Sequence, residues 1–201
     1  METIRRKNRF YEETLPEGYR EELLVDAGDC ELGSKLKTIT VVTDAVLFSI
    51  VFFVYIKPRM EEIAAGFSVL KCVCFIAAYF LYVVMHELTH GIVYKILTKQ
   101  KLTFGFKPPV AYCGVPGIYA YRITAMLSLL APLTVFSIIF AAAFFIFNDP
   151  FTRVLVLGLF VLHLSGCIGD LYNIGFYLSR FQKATVLRQD TGPKQIYYTK
   201  D

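Results

Sequence analysis

Four long apolar stretches, set between polar segments, dominate the chain. Ile39–Ile56 has 18 residues and one charge, Asp44; Ile63–Met85 has 23 and one charge, Lys71. Ile123–Phe147 has 25 and no charge, and Val154–Leu178 has 25 and one charge, Asp170. A helix needs roughly 17–25 residues to cross the hydrocarbon layer, so each stretch is long enough. The second pattern continues through Ile92, Val93, Ile96 and Leu97 and predicts one helix over 63–97. Pro132 falls inside the third stretch, where neighbouring helices can satisfy the freed carbonyl. The pattern predicts an all-α membrane protein with transmembrane helices at 39–56, 63–97, 123–147 and 154–178, a four-span domain over 39–178.

The polar segments set the expected topology. Residues 1–38 carry seven basic and nine acidic side chains and read as a cytoplasmic N-terminal arm; 179–201 read as a cytoplasmic C-terminal tail. Leu102–Tyr121 contains Gly105, Pro108, Pro109, Gly114, Pro116 and Gly117 and is not helical. Its alternating aromatic and aliphatic residues predict short strands and turns at, or dipping into, the cytoplasmic interface between helices two and three. Lys and Arg number 7, 2, 5, 1 and 5 in the successive connections, an alternation that places both termini in the cytoplasm of a multi-pass cell-membrane protein.

Composition agrees. The chain is 55% hydrophobic and 19% charged, with a mean hydropathy of +0.50, where a soluble domain carries about 25% charged residues. The net charge is +4, and the positive side chains lie mostly in the tails and one loop, as topology signals do. No RNA- or DNA-binding signature is present, so no nucleic-acid partner is expected. Five cysteines without a CxxC spacing read as free thiols.

The chemistry is concentrated in His86-Glu87-Leu88-Thr89-His90. On a helix, side chains four apart lie one above the other, so His86 and His90 can grip one metal ion. Glu87 sits beside them, placed to take a proton from a water on that metal. This is the HExxH arrangement of two zinc ligands and a general base. A catalytic zinc needs a third protein ligand and an open position. No Glu follows His90, and of the later acids only Asp170 lies within an apolar stretch, where an uncompensated Asp costs about 2.5–3.5 kcal/mol. His86 lies about 34 Å along its helix from the outer end and Asp170 about 24 Å, comparable depths once tilt and entry point differ. Asp44 competes for the role; Asp170 is preferred for its deeper burial. Asp190, in the polar tail, is a weaker candidate. His163 lies seven residues before Asp170, about 10 Å farther out on a straight helix, and reads as a packing histidine. Asn173, three residues after Asp170, is placed to orient the carboxylate or to bind substrate or an oxyanion. Gly166 and Gly169 allow close helix approach.

With these residues in place, the chain resembles membrane-embedded zincins of the site-2-protease type, which carry HExxH on one transmembrane helix and an Asp on a later one. More closely it resembles the zincin peptidases of bacteria, small four-span membrane proteins first classed as a domain of unknown function. The resemblance covers roughly residues 15–180: LPEGY at Leu15–Tyr19, HELTHG at His86–Gly91, Ala131-Pro132, and SGCIGDLYN at Ser165–Asn173. It implies Zn2+ at His86, His90 and Asp170 with Glu87 as base, and a membrane protein or peptide as substrate. One departure stands out: Gly169 precedes Asp170 rather than following it, and no Pro is near. Two other readings remain open, a non-proteolytic metal-binding regulator or chaperone and a small transporter using His163, Asp170 and Asp44. Glu87 discriminates, because a purely structural zinc site has no use for it.

Overall fold

The computed structural model describes residues 10–26, 29–107, 110–181, 186–192 and 194–200. The chain runs β1 (Tyr11–Glu12), β2 (Tyr19–Asp26), α1 (Cys30–Val51), α2 (Met60–Ala65), α3 (Val69–Thr98), β3 (Thr103–Lys107), β4 (Val110–Tyr121), α4 (Arg122–Ile146), α5 (Pro150–Gly166), α6 (Ile168–Ser179), β5 (Val186–Asp190) and β6 (Lys194–Lys200). It divides into two compact units. One comprises 1–28, 87–129 and 173–201; the other comprises 29–86 and 130–172.

The first unit holds the whole of a six-stranded antiparallel sheet, in the order β1-β4-β5-β6-β2, with β3 pairing β4. This corrects the all-α expectation: the fold is mixed, with α3, α4 and the bent α5–α6 pair leading into or out of the sheet. The strands come from both arms as well as from the predicted Leu102–Tyr121 segment. Residues 19–26 pair with 194–200, nearly the full chain apart. Each arm alone looks polar and solvated, and only the pairing buries Val186, Leu187, Tyr197 and Tyr198. The turn between β5 and β6 uses Gly192 at φ +92°, a conformation open to glycine. Tyr94 of α3 packs with Val115, Ile118 and Ala120 of β4. Pro108 and Pro109 of the predicted segment lie outside the described residues.

The second unit is helical. Asp29 caps α1, accepting from the N–H groups of Glu31 and Leu32 at 2.8 and 3.0 Å. Helical backbone then continues through a wider turn at Phe52–Ile56 and a tighter one at Lys57–Arg59 into α2, giving one run from Cys30 to Ala65. This run, α3 and α4 are each long and apolar enough to cross a membrane; α5 and α6 qualify only as a pair, bent by 41°. The expected straight fourth span is therefore broken, at Cys167. None of α1 is buried, and Val41, Phe53, Leu70, Phe80, Ile138 and Phe145 stand exposed on the helices. A surface of that kind suits lipid, because helices leave no backbone group to be solvated. At one end, Lys71 pairs with Asp149 at 2.8 Å, and Asp149 also caps α5 through Thr152. The Lys71 ammonium, helped by Thr152, holds the Asp149 carboxyl down at about 2.

Candidate metal centre

His86, Glu87 and His90 lie on consecutive turns of α3, which runs unbroken from Val69 to Thr98. One donor atom from each falls within 4.8 Å of the others. Both histidines are buried and Glu87 is half-buried. His86 belongs to the helical unit, and Glu87 and His90 belong to the sheet-bearing unit.

In the sheet-bearing unit, His90 Nδ1 donates to the Ser128 carbonyl at 2.8 Å. A carbonyl can only accept, so in the neutral ring the proton sits on Nδ1 and Nε2 keeps its lone pair. The Ser128 hydroxyl donates back to the His90 carbonyl at 3.3 Å. Gly91, the next residue, lets the β3–β4 hairpin come close: a Cβ there would lie 2.8 Å from Cys113 Sγ, 3.0 Å from Leu102 and 3.1 Å from Phe104. Burial, with Asp190 and Glu87 nearby, pushes the Cys113 thiol up to about 12, so it stays protonated and is no nucleophile.

In the helical unit, His86 Nε2 stands 3.3 Å from Asp170 Oδ2. Asp170 lies in the first turn of α6, an end that favours a carboxylate. On its other side, His86 Nδ1 lies 3.0 Å from the Tyr82 hydroxyl, which is also 3.0 Å from His163 Nδ1. His163 is fully buried among Phe136, Phe140 and Phe160. It packs as expected, but the bend after Gly166 removes the premise of a straight helix, and His163 stands one hydroxyl away from His86. The HExxH pattern does not contain Tyr82; the one signal for it is its place four residues before His86, on the same helix face. A Cβ on Gly166 would meet the Tyr82 oxygen at 3.4 Å, an ordinary contact, and one on Gly169 would meet nothing within 4 Å.

The remaining candidates are occupied elsewhere or isolated. Asn173 Oδ1 accepts from Tyr197 at 2.7 Å, tying α6 to β6. Asp190 meets Arg188 at 3.0 Å, Tyr94 at 3.3 Å and the Gly192 N–H at 2.9 Å, so both its oxygens are engaged within the sheet-bearing unit. Asp44 Oδ1 has no hydrogen-bond partner among the described residues.

The donor chemistry fits zinc. Two donors held about 2.0–2.1 Å from a tetrahedral ion lie about 3.3–3.4 Å apart, and His86 Nε2 and Asp170 Oδ2 stand at 3.3 Å. A mixed helix–sheet fold, helices long and apolar enough to cross a membrane and the His86–His90 turn thus occur together in this chain. Residues 79–186 match the family described as "Putative zincin peptidase", and the chain belongs to that family. The matched region runs from α3 to the start of β5. Comparison with curated proteins and with solved structures gives no match.

Proposed function

We propose that this protein is an integral-membrane zinc endopeptidase that hydrolyses peptide bonds at or within the cytoplasmic side of the bilayer. His86, His90 and Asp170 would hold the ion. The observation that carries the reading is the 3.3 Å approach of Asp170 to a histidine that opens an HExxH turn. Bound zinc supplies Lewis acidity, polarising the scissile carbonyl and acidifying a water. Glu87 sits about 100° round the helix from His86, so it reaches the attacking water rather than the metal position; it takes that proton and returns it to the leaving amine.

The substrate is a membrane protein or peptide held extended, because a helical segment keeps its carbonyls hydrogen-bonded and shielded. β3 supports this. Among the described residues it pairs with β4 alone, and its Phe104 reaches to within 3.1 Å of the space beside Gly91. Its other edge can accept a substrate as an added strand.

The test is purified protein in detergent. Wild type, Glu87→Gln and Asp44→Ala should each carry one zinc, and His90→Ala and Asp170→Ala should lose it. Glu87→Gln should lose at least about 100-fold in peptide cleavage, and Phe104→Pro should keep zinc and cleave poorly. Full activity in Glu87→Gln would remove the protease reading; stoichiometric zinc in Asp170→Ala would remove the ligand set. Zinc-loaded wild type without cleavage of any membrane substrate would favour a non-proteolytic role.

A further inference from the structure

We propose that Tyr82 and His163 are positioning residues that fix the tautomer of His86 for metal binding. The proposal rests on the metal-site reading above and adds residues that the HExxH pattern does not contain. The argument starts at the far end of a chain of hydrogen bonds. His163 Nε2 lies 3.4 Å from the Leu133 carbonyl and 3.2 Å from the Ser137 hydroxyl. The carbonyl can only accept, so in the neutral ring the proton belongs on Nε2 and Nδ1 is the acceptor. The Tyr82 hydroxyl, at 3.0 Å, gives its one proton to His163 Nδ1, where the Cys167 thiol at 3.7 Å is the longer and weaker contact. The Tyr82 oxygen then accepts from His86 Nδ1–H. That leaves His86 Nε2 with a bare lone pair on the side where Asp170 stands.

The reverse polarity is the unwanted one. It would put a proton on His86 Nε2, where it would bond to Asp170 and block the metal, and it would turn a His163 lone pair toward the Leu133 carbonyl. His90 reaches the same Nε2-bare state by a single bond to the Ser128 carbonyl. At His86 Nδ1 the Tyr82 hydroxyl stands at 3.0 Å, and His163 behind it gives that contact its direction at one remove. A second metal site between the rings is a poorer reading. His86, His163 and Cys167 do bring ligand atoms within 4.8 Å of one another, but the Tyr82 oxygen already stands 3.0 Å from both imidazoles.

The test measures zinc affinity by chelator competition, with the thermal midpoint of the metal-free protein recorded beside it. Tyr82→Phe keeps the ring against Phe136 and Phe140 and removes only the hydroxyl. It should weaken zinc binding about 10–100-fold while the metal-free midpoint stays near wild type. His163→Leu should weaken binding similarly. His163→Asn, whose amide oxygen can still accept from Tyr82, should recover most of the affinity. Ser137→Ala should bind like wild type. Wild-type zinc binding matched within twofold by both Tyr82→Phe and His163→Leu would overturn this inference alone. A wild type that binds no zinc would overturn the metal-site reading and this inference with it.

Discussion

Gly91 and Gly33 carry opposite expectations, although both are glycines in helices. Replacing a helical glycine with alanine stabilises by up to about 1 kcal/mol when the site is open. At Gly33 an added Cβ meets nothing within 4 Å, so Gly33→Ala should raise the thermal midpoint. At Gly91 the same atom would press on Cys113, Leu102 and Phe104 together. Overpacking of that kind costs about 1–3 kcal/mol, which exceeds the helix gain. Gly91→Ala should therefore lower the midpoint in detergent and loosen the hairpin beside His90. A Gly91→Ala protein as stable as wild type would show that the hairpin yields freely and that HELTHG ends in glycine for some other reason.

At the scale of elements, β5 anchors the second half of α3 through a buried ion pair. Arg188 and Asp190 are 2% and 6% exposed, and both reach the Tyr94 hydroxyl, which lies one turn beyond His90. Removing one member of a buried pair leaves the other charge uncompensated, at about 3–5 kcal/mol. Arg188→Ala and Asp190→Ala should each be severely destabilised by thermal unfolding, and the double variant Arg188→Met with Asp190→Leu much less so. If the single variants unfold like wild type, β5 is not an anchor. The same strand shows what could be read from sequence. The helices and the HExxH turn follow from periodicity within a single segment, so they were legible. The sheet joins residues 19–26, 110–121 and 186–200, and no local pattern states which segments pair. Arg188 and Asp190 looked like a solvated tail because their burial depends on that pairing. The signal that existed was the Asp190-Thr191-Gly192 turn between two short apolar runs. The break at Cys167 was hidden because Leu164–Leu171 stays mostly apolar across it.

For the whole molecule, the sheet constrains the topology more tightly than charge counting does. A hydrogen-bonded sheet lies on one side of a bilayer, since open strand edges are not tolerated in hydrocarbon. β2, β3, β4, β5 and β6 belong to one sheet, so the chain must cross an even number of times between Asp26 and Thr103, and again between Tyr121 and Val186. The first interval holds two candidate spans, the Cys30–Ala65 run and α3. The second holds α4 and the bent α5–α6 pair. If α4 crosses, an even count requires one more crossing in this interval, and the α5–α6 pair, bent by 41°, is the other candidate. The proposed topology puts the side that carries the sheet in the cytoplasm, which is the side the basic residues favour. Introduced cysteines report on this directly. An impermeant maleimide should label Glu61→Cys and Asn148→Cys in intact cells, and Lys194→Cys only after permeabilisation. Labelling at 194 together with 61 and 148 in intact cells would mean that α5–α6 does not complete a crossing, and the sheet could not form as described.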